Sequence, residues 1–223
     1  MTKTIVITGA TGALGNFAAK TFGKRGHNLV LLGKDQSKLD ALARDLNLPA
    51  ERLYIQAIDL LNGKAVHASA EAVHSKFDSV HSLIHLVGGW TGGRTIPESS
   101  EDDFKSMLDQ HVWTTFHLLR SFTPHIAKSK WGRIMIVSKP ETIRPSAKTA
   151  LYTAAKSAQE SLVLTLAEEY KESGLTANII HVKSIDTKNA GKGTSPVEIV
   201  STMEYLFSDE AGKVNGARIP LYG

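Results

Sequence analysis

Six times along this 223-residue chain a short apolar run gives way to a helical pattern, and a seventh apolar run closes the series. The strand-like segments are Thr4–Thr8, Leu29–Leu32, Leu53–Ile58, Ser82–Val87, Arg133–Val137 and Ala177–Val182, with a short one at Ala217–Leu221. Helical patterns fill the intervals at Ala13–Arg25, Ser37–Leu46, Lys64–Lys76, Glu101–Lys128, Thr149–Ser173 and Pro196–Phe207. The strand segments are apolar almost throughout rather than alternating, so both of their faces must be covered. Strands that alternate singly with helices build a parallel sheet, which fixes the expected fold as α/β, doubly wound, with helices on both faces. Local signals agree. Ser195-Pro196-Val197-Glu198 combines an N-cap, a proline at the first helical position and a capping-box glutamate, and Ser100 precedes three acids at a helix start.

Nothing in the chain divides this pattern, so a single domain over 1–223 is expected. Hydrophobic residues make up 42% and charged residues 22%, which suits a globular chain with a sizeable core. No apolar run is long enough to span a bilayer, and the first residues enter strand pattern without a signal-peptide core, so no membrane partner is expected. The absence of cysteine rules out disulfide and thiolate chemistry and suits a cytoplasmic location. A formal charge of +4 arises from scattered lysines rather than a basic stripe, which points to small anionic ligands and away from nucleic acid. The nine histidines show no metal-ligand spacing on a helix with a nearby glutamate, and no metal is expected.

The first strand breaks into Thr8-Gly9-Ala10-Thr11-Gly12-Ala13-Leu14-Gly15 before an Ala-rich helix begins. Closely spaced glycines let the backbone turn tightly and approach a pyrophosphate, while the following helix aims its unpaired N–H groups and positive dipole end at the charge. This strand–loop–helix context makes Gly9, Thr11, Gly12, Ala13, Leu14 and Gly15 candidates for a dinucleotide cradle. In such a sheet ligands bind beyond the carboxyl ends of the strands, and each end offers candidates. After the second strand, Gly33 leaves room and Lys34 offers positive charge to a 2′-phosphate, which favours NADP over NAD; Asp35 next to it speaks for NAD. Asp59-Leu60 could cap an adenine amino group, and Val87-Gly88-Gly89 allows close approach to a ribose.

Tyr152-Thr153-Ala154-Ala155-Lys156 opens a long Ala/Leu-rich helix and places Tyr152 and Lys156 one turn apart on one face. A tyrosine hydroxyl is a poor acid or base near neutrality, but a neighbouring ammonium is expected to lower its pKa. Tyr152 could then exchange the proton of a substrate hydroxyl while hydride passes to or from a nicotinamide.

With these motifs in this order, the chain resembles the short-chain dehydrogenase/reductase family over essentially its whole length. The order comprises the glycine loop, Asp59-Leu60, Gly88-Gly89, a serine ahead of Tyr152 and Lys156, Thr187 after the sixth strand, and Val214-Asn215-Gly216-Ala217-Arg218-Ile219. The resemblance implies a Rossmann-type sheet of about seven strands, NADP or NAD as cofactor, Tyr152 and Lys156 as catalytic residues, Lys156 also on the nicotinamide ribose, and Thr187 near the carboxamide or phosphates. Departures accompany it. The loop spacing is Gly-x-x-Gly-x-x-Gly, with Ala13 where the usual pattern has glycine. His111 stands where the family has an active-site asparagine, and would either join a water relay or fill the space. Counting along the fifth strand or back from Tyr152 puts Lys139 at the usual serine position, whereas Ser138 matches after a one-residue adjustment and would orient the substrate carbonyl. Val182-Lys183 replaces the usual Pro-Gly pair.

Between Thr187 and Ser195 only a short Lys/Gly-rich loop, near 188–195, is left to cover substrate, which suggests an open or flexible cleft mouth. Gly88-Gly89-Trp90-Thr91-Gly92-Gly93-Arg94 is similar to the corresponding loop of dihydropteridine reductases, and Trp90 would either stack on a flat substrate or anchor the loop. The helix carrying Tyr152 is apolar on nearly all sides (Leu151, Ala155, Ala158, Leu162, Val163, Leu166, Ala167), which fits a homodimer or homotetramer packed through it. The sequence reading is thus an NADP(H)-preferring oxidoreductase acting on a small carbonyl, alcohol or imine-like substrate. The alternative is a catalytically weak NAD(P)-binding scaffold or redox sensor working through a protein partner.

Overall fold

The computed structural model describes residues 2–188 and 190–222. Seven strands form one parallel sheet: β1 (Thr4–Thr8), β2 (Asn28–Gly33), β3 (Leu53–Ala57), β4 (Ser82–His85), β5 (Gly132–Ser138), β6 (Leu175–His181) and β7 (Arg218–Pro220). Their order across the sheet is β3-β2-β1-β4-β5-β6-β7. The chain works outward from β1 to β3, then crosses back to lay β4 on the other side of β1. That reversal opens a crevice between the carboxyl ends of β1 and β4, where a doubly wound sheet binds its ligand.

Strand pleating explains the unbroken apolar runs. Val6, Val30, Leu83, Ile134 and Ile179 point to one face. There they meet α3 (Gly63–Phe77), α5 (Thr114–Lys128) and α6 (Ala150–Glu169). Ile5, Ile7, Leu29, Leu31, Ile84, Met135 and Ile180 point to the other face. That face is covered by α1 (Ala13–Lys24), α2 (Gln36–Leu46) and α7 (Pro196–Leu206). The register Val6↔Val30 and Val6↔Leu83 keeps like faces aligned across three strands, and a one-residue slip would exchange the two cores.

Three boundaries differ from expectation in ways that shape the cleft. β4 stops at His85, so Leu86–Gly88 leaves the sheet early and lies over the glycine loop. The Tyr152 helix ends at Glu169 rather than continuing to Ser173. The helix expected over Glu101–Lys128 is interrupted: α4 (Glu101–Leu108) passes through a π-helical turn at Asp109–Trp113 before α5 begins. Hydroxyls of the next turn occupy the loosened carbonyls, with Thr114 Oγ1 donating to Gln110 O at 2.8 Å and Thr115 Oγ1 to His111 O at 2.6 Å. The wider turn sets His111 facing the sheet. Such insertions recur at functional sites.

Candidate active site

The glycine loop turns on Gly9, whose φ of +69° a residue with a side chain adopts only with strain. A Cβ at Gly15 would be driven into the carbonyl oxygen of Gly9, and one at Gly9 would meet the Leu86 carbonyl at 3.0 Å. The loop is therefore closed against its own helix on one side and the β4 exit on the other. α1, like α6, starts without a side-chain cap. Side chains of Asp35, Asn62, Ser100 and Ser195 cap α2, α3, α4 and α7, but the N-cap of α1 is Gly12, which has no side chain to offer. The first N–H groups of α1 are left for an outside acceptor. An uncapped helix start over a glycine cradle suits the pyrophosphate of a dinucleotide.

Two adjoining cavities open here, sharing Gly9, Gly12, Leu86, Val87 and Gly88. One, of about 290 Å³, runs over β2 and β3 and is lined by Thr11, Gly33, Lys34, Ile58 and Leu60. The other, of about 510 Å³, runs over β4, β5 and β6 and takes in Ala13, Leu14, Gly15, Gly89, Trp90, His111, Ser138, Lys139, Tyr152, Lys156, Lys183 and Thr187. All but one of the residues expected from the sequence to be catalytic or to hold the cofactor thus line this pair of adjoining cavities. The exception is Asp59. Its carboxylate accepts the Leu61 N–H at 3.1 Å in a local turn, and Ile58 and Leu60 face the cavity in its place. Asp35 is also otherwise engaged. It caps α2 through Lys38 N at 3.1 Å and accepts from Ser37 Oγ at 2.6 Å, while Lys34 stays exposed at the rim.

Tyr152 and Lys156 project from the first turns of α6 toward the end of β5. Lys156 Nζ donates to Val137 O and to Gln159 Oε1, both at 2.7 Å, and Gln159 Nε2 donates to Thr115 Oγ1 at 2.7 Å. This chain ties the ammonium to the π-helical turn. Burial pulls the Lys156 pKa down to about 7, opposed by the charge of Glu160. The expected lowering at Tyr152 is not found. Burial first, then the carboxylates of Glu141 and Glu160, push its pKa up.

Ser138 requires a second correction. Its hydroxyl, 1% exposed, donates to Glu160 Oε1 at 2.5 Å. The same carboxylate accepts from His181 Nε2 at 2.9 Å and Arg218 Nε at 2.6 Å. Burial would raise the Glu160 pKa, but hydrogen bonds from His181, Ser138 and Arg218 hold it at about 2. Ser138 therefore serves a buried carboxylate that joins α6 to β5, β6 and β7, and its hydroxyl is not directed at substrate. Lys139 takes the cleft-facing position, with its ammonium 5.8 Å from the centre of the Tyr152 ring.

His111 is buried beneath Tyr152, with the two rings edge to face at 5.4 Å. Its Nε2–H donates to Gly89 O at 2.9 Å, so in the neutral ring Nδ1 carries a lone pair, and that atom is buried without a partner among the described residues. Burial and the Lys156 charge pull its pKa down to about 4. His85, at the end of β4, lines the same cavity and was not singled out from sequence. It bonds Thr8 Oγ1 at 2.6 Å, and burial, Lys156 and His111 lower it to about 3. Gln159, Glu160 and His181 were also missed. The available signal was a Gln-Glu pair one turn beyond Lys156, on the same helix and near its apolar positions Ala155, Val163 and Leu166, where a polar pair needs buried partners.

The loop after β6 is more ordered than its composition suggests. Asp186 accepts backbone N–H groups from Lys188, Ala190, Gly191 and Lys192, and Asp186 N and Thr194 N pair with Thr194 O and Ser184 O. Residue 189 of that loop lies outside the described residues. Trp90 is 59% exposed at the mouth of the cleft.

Known proteins resemble this chain in sequence and fold. The short chain dehydrogenase family model matches residues 3–197. The meso-2,3-butanediol dehydrogenase of Serratia marcescens is 26% identical over 238 residues, covering 99% of this chain and 93% of its own. An NADPH-dependent pterin aldehyde reductase of Arabidopsis thaliana is 29% identical over 170 residues, 76% of this chain and 70% of its own. Among solved structures, the 3-ketoacyl-(acyl-carrier-protein) reductase of Brucella melitensis, complexed with NADH, superposes with a TM-score of 0.88 at 21% identity, covering 98% of this chain and 96% of that one. The matched family, the seven-stranded sheet and the crevice at its switch point agree, and the chain belongs to the short-chain dehydrogenase/reductase family of oxidoreductases.

Proposed function

We propose that this oxidoreductase is an NADP(H)-preferring reductase of a small carbonyl or imine-like compound. The observation that carries the reading is the meeting, in one crevice, of an uncapped helix start over the glycine loop with Tyr152 and Lys156. Gly9, Gly12, Ala13, Leu14 and Gly15 would hold the pyrophosphate, Val87, Gly88 and Gly89 the ribose, and Thr187 the carboxamide end. Thr11, Leu60 and exposed Lys34 line the far cavity, where Lys34 would meet a 2′-phosphate, and the capping duty of Asp35 removes the acid that would favour NAD. The NADPH dependence of the Arabidopsis relative agrees with this preference.

A nicotinamide held in this crevice would supply the hydride. The chain supplies the proton. Tyr152 stays protonated well above neutral pH, which suits a donor to the substrate oxygen or nitrogen in the reductive direction. As the proton leaves, Lys156, one turn along the same face, provides the positive charge that stabilises the phenolate. Val137 O and Gln159 hold that ammonium in place. The homo-oligomer expected through α6 belongs to the same proposal: half-buried Leu162 and exposed Phe116 flank a groove of about 380 Å³ between α5 and α6.

The test is a panel of carbonyl compounds with NADPH and NADH on wild type, Tyr152→Phe and Lys34→Asp. Tyr152→Phe is expected to lose about 100-fold or more in turnover while still binding cofactor. Lys34→Asp is expected to shift the cofactor ratio toward NADH. Full turnover by the phenylalanine variant would end the acid role. Tight cofactor binding with no reduction of any compound would favour a redox-sensing scaffold.

A further inference from the structure

We infer that the substrate is an anion, a carbonyl compound carrying a carboxylate close to the reacting carbon, and that Lys139 is the residue that selects it. The inference rests on the proposed reduction at Tyr152 and adds the class of molecule reduced there. At the tip of β5, Ser138 turns inward to Glu160. Both residues border the cleft, but the Ser138 hydroxyl is taken up by Glu160, whereas Lys139, just past the strand end, keeps its ammonium on the Tyr152 side. Lys139 accordingly lines the large cavity with its ammonium 5.8 Å from the centre of the Tyr152 ring. A charge at that point lies within reach of any group bonded to a carbonyl that Tyr152 touches.

The cofactor does not account for this cation. β5 lies two strands from β1 in the sheet order, so Lys139 stands roughly 10 Å across the sheet from the glycine cradle. Lys34, the candidate for a 2′-phosphate, is on the far side of β1, beyond β2. Lys156, also in the cavity, has its donors directed at Val137 O and Gln159. Lys183 lines the same wall from the exit of β6, with Tyr222 beside it. Among the described residues no aspartate or glutamate lines this cavity, so the wall beyond Tyr152 is positive and offers nothing to a cationic substrate.

Glu141 holds Lys139 ready. Its Oε1 lies 3.4 Å from Lys139 Nζ in a partly exposed pair, and its Oε2 is buried without a partner among the described residues. A long, partly solvated ion pair is weak. A substrate carboxylate, arriving with its own geometry, would take over Lys139 from Glu141. Glu141 is thus a competitor that keeps the ammonium extended when the cleft is empty.

The experiment uses matched pairs: pyruvate against methyl pyruvate, and acetoacetate against methyl acetoacetate, each with NADPH and NADH. Alongside, calorimetry measures oxamate and oxamide binding to the protein with NADP⁺. Wild type is expected to favour the acids over the esters by about 10-fold or more in kcat/KM, and oxamate over oxamide in Kd, the scale of one lost charge-assisted hydrogen bond. Lys139→Met should collapse both ratios toward one, Lys139→Arg should keep them, and Glu141→Gln should lower KM for the acids alone. Equal use of acid and ester by wild type, or an equal loss of both in Lys139→Met with oxamate binding unchanged, would overturn the assignment. If no compound is reduced but oxamate binds in a Lys139-dependent way, the anion site stands and the proposed reduction falls.

Discussion

At the residue scale, the exchange between Ser138 and Lys139 matters most. The two alternatives differ by one position and both border the cleft, but the Ser138 hydroxyl is bonded to Glu160 while the Lys139 ammonium lies near the Tyr152 ring. The Ser138 hydroxyl is taken up by Glu160, whose carboxylate also accepts hydrogen bonds from His181 Nε2 and Arg218 Nε. A definite prediction follows for a residue that resembles a catalytic serine. Ser138→Ala should leave kcat/KM within about threefold while lowering folding stability by about 1–3 kcal/mol, the value of a buried hydrogen bond to a charged group. Chemical denaturation and steady-state kinetics on the same preparation read both. A collapse of turnover with unchanged stability would return Ser138 to the substrate. His111 shows the same dependence on surroundings: its spacing suggested either a relay or a filler, and its buried, unpartnered Nδ1 beside Tyr152 leaves an acceptor facing the chemistry.

At the scale of elements, the loop after β6 shows how one side chain can order a segment whose composition reads as mobile. Lysines and glycines at 188–193 have little apolar surface to bury, so the loop has no core of its own. Asp186 replaces that core with a carboxylate inside a ring of backbone N–H groups, and those hydrogen bonds, against a small burial penalty, hold its pKa below the usual range. Asp186→Ala should therefore make the loop the first site of trypsin cleavage, at Lys188 or Lys192, and should raise KM for substrate more than for cofactor. Limited proteolysis with mass spectrometry decides it, and a variant as resistant as wild type would show that Asp186 does not hold the loop. The π-helical turn of α4–α5 is the other element that composition hides. Its extra residue per turn is what brings His111 under Tyr152 and Thr115 to Gln159.

At the scale of the whole molecule, three histidines are neutral in the fold because of where the sheet buries them. The His85 pKa falls to about 3, that of His111 to about 4, and that of half-buried His81 to about 4, each chiefly through burial. In the unfolded chain each titrates near the ordinary histidine value of 6.5. Below that pH the unfolded state takes up protons that the folded state refuses, so stability is full above 6.5 and falls as the pH drops toward 4. Each fully buried histidine contributes up to about 1.4 kcal/mol per pH unit in that window. Lys156 acts in the same direction at higher pH: with its folded pKa at about 7, stability without cofactor should rise between about pH 7 and 10. Calorimetric Tm values from pH 7.5 to 4.5 should fall steeply in wild type and less steeply in His85→Asn and His111→Asn. A flat profile, or identical slopes in all three proteins, would remove the histidines from the account.

The sequence by itself determined the sheet, its covering helices, the glycine cradle and the Tyr152–Lys156 pair. These rest on information held within one or two turns of chain: apolar runs of strand length, glycines that release the backbone, and a four-residue helical spacing. The tertiary structure alone decided what those groups meet. It turned Ser138 to Glu160 and Lys139 to the cleft, assigned Asp35 and Asp59 to local turns, and moved the Tyr152 pKa up where the helix spacing suggested down. The Ser138–Glu160 bond joins residues 22 positions apart, the Tyr152 shift comes first from burial, and the place of Lys139 depends on which side of a strand end is solvent; Asp35 and Asp59 bond within two or three residues, and the packed cleft leaves both outside it. Burial and long-range hydrogen bonding are properties of the packed molecule, and no local window of residues contains them.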